Sequence, residues 1–308
     1  MENIKKPTPE EIAAVKGKGF LIDKTTFRHF NARVLTVNGR VTSEQMNTVS
    51  ECAKLFGNGY VTLTSRMTFE IQHIPFENIE PMIAYLSERG MKTGGTGPKV
   101  RPIVSCKGTT CQYGLIDTFA LSERIHEEIF EGYSSVRLPH KFKIAVGGCP
   151  NSCAKPDLND LGIVGQKVVQ IDYEKCKGCK ACQIEKSCPI KCAKVENGKI
   201  NVTEECNHCG RCAEKCPFGA FDDYVSAYKI FIGGRWGKKT SRGIPLSKLL
   251  YSENEVLSAV ESAVLFFKDK GNAGERFSDT ISRVRIETAE KEILSGELIK
   301  RKAEIINK

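Results

Sequence analysis

Residues 206–217 read CNHCGRCAEKCP, and residues 176–182 read CKGCKAC, which repeats the same cysteine spacing thirty residues earlier in the chain. Three thiols within seven residues can wrap a loop around one face of an iron–sulfur cubane, with the fourth ligand arriving from elsewhere. The rival reading is a pair of four-cysteine zinc sites, but tetrahedral zinc is ordinarily held by C-x2-C pairs rather than triplets. The thirty-residue period marks one supersecondary unit present twice. This pattern decides what the middle of the chain is, and the rest is read outward from it.

Together the two copies read as an inserted two-cluster bacterial ferredoxin over residues 171–223. In such ferredoxins the last cysteine of each run ligates the other cluster. One [4Fe–4S] cluster is therefore assigned to Cys176, Cys179, Cys182 and Cys216. The other takes Cys206, Cys209, Cys212 and a cysteine from the first copy. That copy runs Cys182-x5-Cys188-Pro189, two residues longer than usual, and Cys192 is also available. The following proline favours Cys188.

Thirteen of the fourteen cysteines fall between Cys106 and Cys216. Without a secretory signal, clustering of that kind points to metal rather than to a disulfide framework. The polar, acidic start MENIKKPTPEE argues against a signal peptide, and no apolar run approaches the ~20 residues that span a bilayer. A cytoplasmic location with no membrane span is expected. The net charge of +9 asks for an anionic partner. Nucleic acid is set aside, because no basic tract carries interleaved aromatics. GGTGPK (94–99) follows a helical segment and is too short for a dinucleotide fingerprint, so NADH or flavin belongs on another chain.

The N-terminal ninety residues read as an α+β unit of order βαββα. Strands are expected over 27–37, 60–65 and 68–74, and helices from Ser43 and over 77–88, the last ended by Gly90. Met46, Val49, Ala53 and Phe56 fall at helical spacing and form one expected apolar face. Cys52, inside that helix, reads as a buried inert thiol. Toward the C-terminus, helices are expected over 253–268 and 277–307, the second with a solvated, charge-rich outer face.

Cys106-x4-Cys111 and Cys149-x3-Cys153 make a second cysteine set. KFKIAVGGCPNSC (141–153) reads as a strand running into a Gly–Gly turn, which lets backbone approach a bulky prosthetic group. On that strand Lys141 and Lys143 point to one face, Phe142 and Ile144 to the other.

These segments resemble the sirohaem-dependent sulfite and nitrite reductases over nearly the whole chain. TSRMTFEI (64–71) is similar to the family's strand with a substrate-side arginine. VRPIVSCKGTTC (100–111) and GGCPNSC (147–153) resemble its paired cysteine motif. LGIVG (161–165) and GGRWG (233–237) resemble segments beside the tetrapyrrole, and GERFSDTISRV (274–284) its closing helix. The size and the inserted ferredoxin are most similar to the catalytic C subunit of the anaerobic sulfite reductases. One departure is that the family's first cysteine pair is commonly C-x5-C, whereas four residues separate Cys106 from Cys111.

The resemblance implies a ferredoxin-like half-domain over 1–91 and a sirohaem and [4Fe–4S] α+β domain over 92–170 and 224–308, interrupted by the insert. It implies that Cys106, Cys111, Cys149 and Cys153 hold a third [4Fe–4S] cluster, with the Cys153 thiolate shared with the sirohaem iron. Arg66, Lys141 and Lys143 are expected to face the substrate. Arg101, Arg235, Lys238, Lys239 and Arg242 are expected to clamp sirohaem carboxylates, arginine as a bidentate fork and lysine as a point charge. Sulfite reduction to sulfide is the expected activity, with nitrite reduction at the same site as the alternative. A different alternative is an electron-transfer subunit with an inactive sirohaem fold. Expected partners are an electron donor carrying flavin and NADH or reduced ferredoxin, and a second subunit in a dimer or hetero-oligomer.

Overall fold

The computed structural model describes residues 5–308, so the first four residues of the polar start lie outside the described residues. Thr8 opens α1 (Pro9–Lys16) with a reciprocal capping box to Glu11 and a proline in the first turn. β1 (Phe20–Ile22) then pairs antiparallel with β2 (His29–Val34). α2 (Ser43–Phe56) starts at a second capping box, Thr42 with Gln45. β3 (Val61–Leu63), β4 (Phe69–Pro75) and α3 (Ile79–Ser87) complete a four-stranded sheet of order β1-β2-β4-β3 with helices packed on one face. The expected βαββα order is present, with α1 and β1 added in front.

Phe30, Ala32, Val34, Phe69, Ile71 and Ile74 meet Val49, Cys52, Ala53, Met82 and Leu86 in one core. Burial pushes the Cys52 thiol up to about 12, as befits an inert core thiol. Met46 does not belong to the expected apolar face: it is 48% exposed, and Cys52 is buried instead.

β5 (Val104–Ser105), β6 (Ile144–Gly147) and β7 (Leu161–Val169) run parallel. α4 (Thr118–Ile125) packs beside β5 and β6. The insert follows, built from α5 (Gln183–Ser187) and the hairpin β8 (Ala193–Glu196) and β9 (Lys199–Val202), around a small core of its own. β10 (Tyr224–Ile232) returns antiparallel to β7 in a continuous register from Tyr224–Val169 to Ile232–Leu161. The insert thus leaves the sheet and rejoins it at paired residues, so its closure constrains the host sheet little. β11 (Ile244–Pro245) finishes a sheet of order β11-β10-β7-β6-β5.

α6 (Glu253–Lys270) is capped by Ser252 and buries Val256, Val260, Val264 and Phe267 against this sheet's core. The single helix expected over 277–307 is broken into α7 (Phe277–Val284), α8 (Ile286–Ser295), α9 (Glu297–Lys300) and α10 (Lys302–Ile306). Arg285 (φ 79°) and Gly296 (φ 74°) turn the chain at the first two breaks. The breaks let Phe277, Ile281, Ala289, Ile293, Leu298 and Ile305 all reach the α6 core, so this segment is not simply a solvated face. Among the described residues no helix is long and apolar enough to cross a membrane.

Candidate active site

β5 and β6 are parallel neighbours, so the loops after Ser105 and Gly147 leave the sheet at the same end. The first carries Cys106 and Cys111, the second Cys149 and Cys153. The Cys106 N–H donates to the Val146 carbonyl (3.0 Å), and the Gly148 N–H donates to Cys106 Sγ (3.1 Å). A Cβ on Gly148 would stand 2.8 Å from Gly108 Cα, so the two loops touch only because both positions are glycine. The Cys149 thiol is pushed up chiefly by burial, with neighbouring Cys106, Cys153 and Cys111 adding to the effect. A single 3₁₀ turn at Gly108–Thr110 closes the shortened C-x4-C loop, the Cys111 N–H donating to the Gly108 carbonyl (3.1 Å). Among the described residues no three His, Cys, Asp or Glu side chains are drawn together tightly enough for a single metal ion. A cubane asks for a different layout, since each of its four irons takes its own thiolate.

The strand leading to the second loop alternates as its sequence requires. Phe142 and Ile144 are fully buried, while Lys141 and Lys143 are half-buried on the opposite face. Asp160 fixes this strand: it is fully buried, accepts the Lys143 N–H (2.9 Å) and pairs with Arg276 (3.0 Å). Burial lowers the Lys143 ammonium to about 8, with the charges of Arg66 and Lys141 adding to the effect. Lys141 is lowered as well, by burial and then by Arg276 and Arg101.

Arg66 enters the same corner from the turn before β4. Its guanidinium is committed: Nε and Nη2 donate to the Pro102 carbonyl (3.1 and 2.7 Å), Nη2 to the Ile144 carbonyl (3.1 Å), and Nη1 to Asn159 Oδ1 (3.1 Å). Arg101 donates to the Gly95 carbonyl (2.6 Å). Arg33 and Arg276, which carry no signal in the sequence, join this group. The Nε atoms of Arg33, Arg101 and Arg276 are buried with no hydrogen-bond partner. Arg33, Arg101, Arg137, His140 and Lys141 line an open cavity of about 650 Å³ between the half-domain and the main sheet. Buried donors without acceptors are costly unless a ligand supplies them, and this cavity therefore suits a polyanion.

The loop 233–243 contributes less evenly. Arg235 pairs with Asp279 (3.2 Å) and still acts on Lys141 electrostatically. Arg242 pairs with Asp157, while Lys238 and Lys239 are exposed. The structure does not bring those last three into the buried cationic group.

In the insert, Cys188, Cys192, Cys206, Cys209 and Cys212 all line one cavity of about 240 Å³, with Val169, Ile171, Ile190 and Phe221 among its apolar walls. Cys216 precedes a turn at Gly219 that packs near Lys175, bringing it back against the first run. This side of the insert docks on β7: the Lys167 N–H donates to the His208 carbonyl (2.8 Å), and Gly210 lies flat on the Lys167 side chain. Arg211 stacks over Tyr113, 4.6 Å from its ring centre. Cys209 and Cys149 consequently line a common cleft of about 210 Å³.

Comparison with known proteins identifies the family. The model of the nitrite and sulphite reductase 4Fe-4S domain matches residues 96–302, and that of the nitrite/sulfite reductase ferredoxin-like half domain matches residues 23–89. The chain belongs to the nitrite and sulphite reductase family. Within that family it is 28% identical over 295 residues to the coenzyme F420-dependent sulfite reductase of Methanocaldococcus jannaschii, covering 95% of this chain and 44% of that protein. An uncharacterised protein of the same organism is 31% identical over 88% of this chain and 92% of its own length. The C subunit of the Salmonella typhimurium anaerobic sulfite reductase is 31% identical over 66% of this chain and 64% of its own. The chain thus spans less than half of the first relative. Among solved structures, dissimilatory sulfite reductase I superposes with a TM-score of 0.68 at 19% identity, covering 86% of this chain and 69% of that one. NirA of Mycobacterium tuberculosis gives 0.66 at 14% identity, over 96% and 48%. At those identities the likeness is one of fold, and it is the α+β reductase fold.

Proposed function

We propose that this chain is the catalytic subunit of a sulfite reductase, holding a sirohaem coupled to one [4Fe–4S] cluster and two further clusters in the insert. The observation that carries the reading is that one pair of parallel strands, β5 and β6, bears both features, one at each end. Four cysteines sit on the two touching loops that follow β5 and β6, and a cationic cavity lies where the chain enters those strands, lined by Lys141 and by Arg33 and Arg101, whose Nε atoms lack acceptors. When bound, the sirohaem and its coupled cluster hold the substrate sulfur and supply electrons, with the insert's clusters feeding them from an external donor.

The chain's own residues do the rest. Cys106, Cys111, Cys149 and Cys153 hold the coupled cluster, with Cys153, the exposed member, as the shared thiolate. Arg33 and Arg101, which line the cavity, are the groups offered to sirohaem carboxylates, and Arg235, Lys238, Lys239 and Arg242 could meet carboxylates only outside that lining. Lys141 and Lys143 bind the oxyanion. Lys143, lowered to about 8, is matched to deliver a proton near neutral pH. Arg66 commits four of its five N–H donors to the protein, which leaves one to share with the substrate and makes it a brace for the lysine strand. Three separate hydrophobic cores support the division into a half-domain, a main domain and an insert. The docking of Cys209 beside Cys149 favours the Cys206–Cys212 cluster as the one nearest the active site. A partner protein or reduced ferredoxin is the proposed donor, and pairing of half-domains through the exposed edge of β3 is the proposed assembly.

The test is turnover by protein purified without oxygen. With a reduced dye, sulfite should yield sulfide with a higher kcat/KM than nitrite gives for ammonia. Preference for nitrite would reassign the substrate, and no turnover of either would favour the electron-transfer reading.

A further inference from the structure

The second cluster of the insert has one thiol too many. A cubane takes four thiolates, one per iron, yet five cysteines line this cavity. Cys206, Cys209 and Cys212 form the triplet, which leaves a single ligand position for Cys188 and Cys192. The two sulfurs of that pair lie 3.5 Å apart. Ligand sulfurs on adjacent corners of one cubane stand well apart, so this pair cannot serve two irons of the same cluster. Changing one χ1 by a staggered step moves a cysteine sulfur by about 3 Å, nearly the separation observed.

The backbone supports both positions. Cys188 caps the end of α5, its N–H donating to the Ile184 carbonyl (3.1 Å), and Cys192 leads directly into β8. The Lys191 N–H donates to the Cys188 carbonyl (3.3 Å) and the Thr203 N–H to the Cys192 carbonyl (2.9 Å), so the turn is tied at both ends. Lys191 at its centre has φ 58°, and this left-handed residue folds the chain back so that both thiols face the cavity. The two residues added to the usual spacing thereby create a second ligand without removing the first.

We propose that Cys188 and Cys192 are interchangeable fourth ligands of the Cys206–Cys209–Cys212 cluster, one bound and the other held beside it as a thiol. The exchange is thiolate for thiolate: one Fe–S bond forms as the other breaks, and the proton of the incoming thiol passes to the departing one, with no change in electron count. Such a site keeps its cluster when one cysteine is lost or modified. The proposal rests on the three-cluster reading above.

The test uses the full chain purified without oxygen, with Cys188→Ala, Cys192→Ala and the double variant. The readouts are iron and acid-labile sulfide per chain, and the electron paramagnetic resonance spectra of the oxidised and reduced protein. Each single variant should keep its full iron complement, and the two should give reduced-cluster signals that differ from each other. The double variant should lose about four irons or show a three-iron signal when oxidised. If either single variant alone loses iron or shows the three-iron signal, that residue is the sole ligand and the exchange is wrong. The single variants decide this even if the double variant does not fold. A wild-type chain already short by about four irons would instead overturn the three-cluster reading, and the exchange with it. A double variant with complete iron and an unchanged spectrum would show that neither thiol is a ligand.

Discussion

Replacing Lys143 with glutamine keeps most of its bulk and removes one charge from the substrate face of the strand before β6. Hydrogen bonds to charged groups contribute about 1.5–3 kcal/mol. About 1.4 kcal/mol is tenfold in rate, so kcat/KM for sulfite should fall roughly 10- to 150-fold. The pH dependence gives a second, independent reading. Burial, reinforced by Arg66 and Lys141, lowers this ammonium to about 8, and nearby anionic groups would move it back up. Lys143 is charged below that value, so wild-type kcat/KM should be level at lower pH and fall as pH rises through about 8 or somewhat above. Lys143→Gln should lower the plateau and abolish that descending limb. The assay is steady-state sulfite reduction with a small dye, with iron and sirohaem content measured on the same samples. Exposed Lys248, changed to glutamine, serves as the control. If Lys143→Gln keeps the limb at the same pH and loses no more activity than Lys248→Gln, the lysine face is a solvated edge and the proton-donor role is wrong.

Arg66→Met orphans three buried acceptors, the Pro102 and Ile144 carbonyls and Asn159 Oδ1. At about 1–3 kcal/mol each before water enters, it should lower thermal stability severely, with Arg66→Lys recovering part of the loss in a calorimetric scan. Removing one partner of the buried Asp160–Arg276 pair should cost about 3–5 kcal/mol. Asp160→Ala should also release the Lys143 N–H, seen as faster amide exchange over 141–144. Tyr60 and Leu63 on the β3 edge are 70% and 78% exposed, and Leu63→Glu should convert a dimer to monomers by light scattering if half-domains pair there.

The grouping of the cysteines into short runs was legible because it is a local spacing in the sequence. Lys141 and Lys143 were legible because a strand's period is two. Arg33, Asp160 and Arg276 were not, since β2, the loop before β7 and the residue before α7 meet only after the sheet has formed. Arg66 was found by resemblance, but its commitment to three acceptors is a tertiary fact with no local signal. The break at Arg285 likewise puts a non-glycine residue at positive φ, which propensity does not announce. By contrast the capping box at Thr8 was readable and marks the missed α1. At Cys188 and Cys192 the sequence offered two candidates for one position, and the fold turns both toward the same cavity.

The most direct measurement is the ratio of iron to sirohaem in protein purified without oxygen. Three [4Fe–4S] clusters and one sirohaem iron predict about 13 irons and one sirohaem per chain. About eight irons with no sirohaem absorption would mean that the insert is loaded while the Cys106–Cys153 site is empty. The chain would then be an electron-transfer protein rather than the reductase.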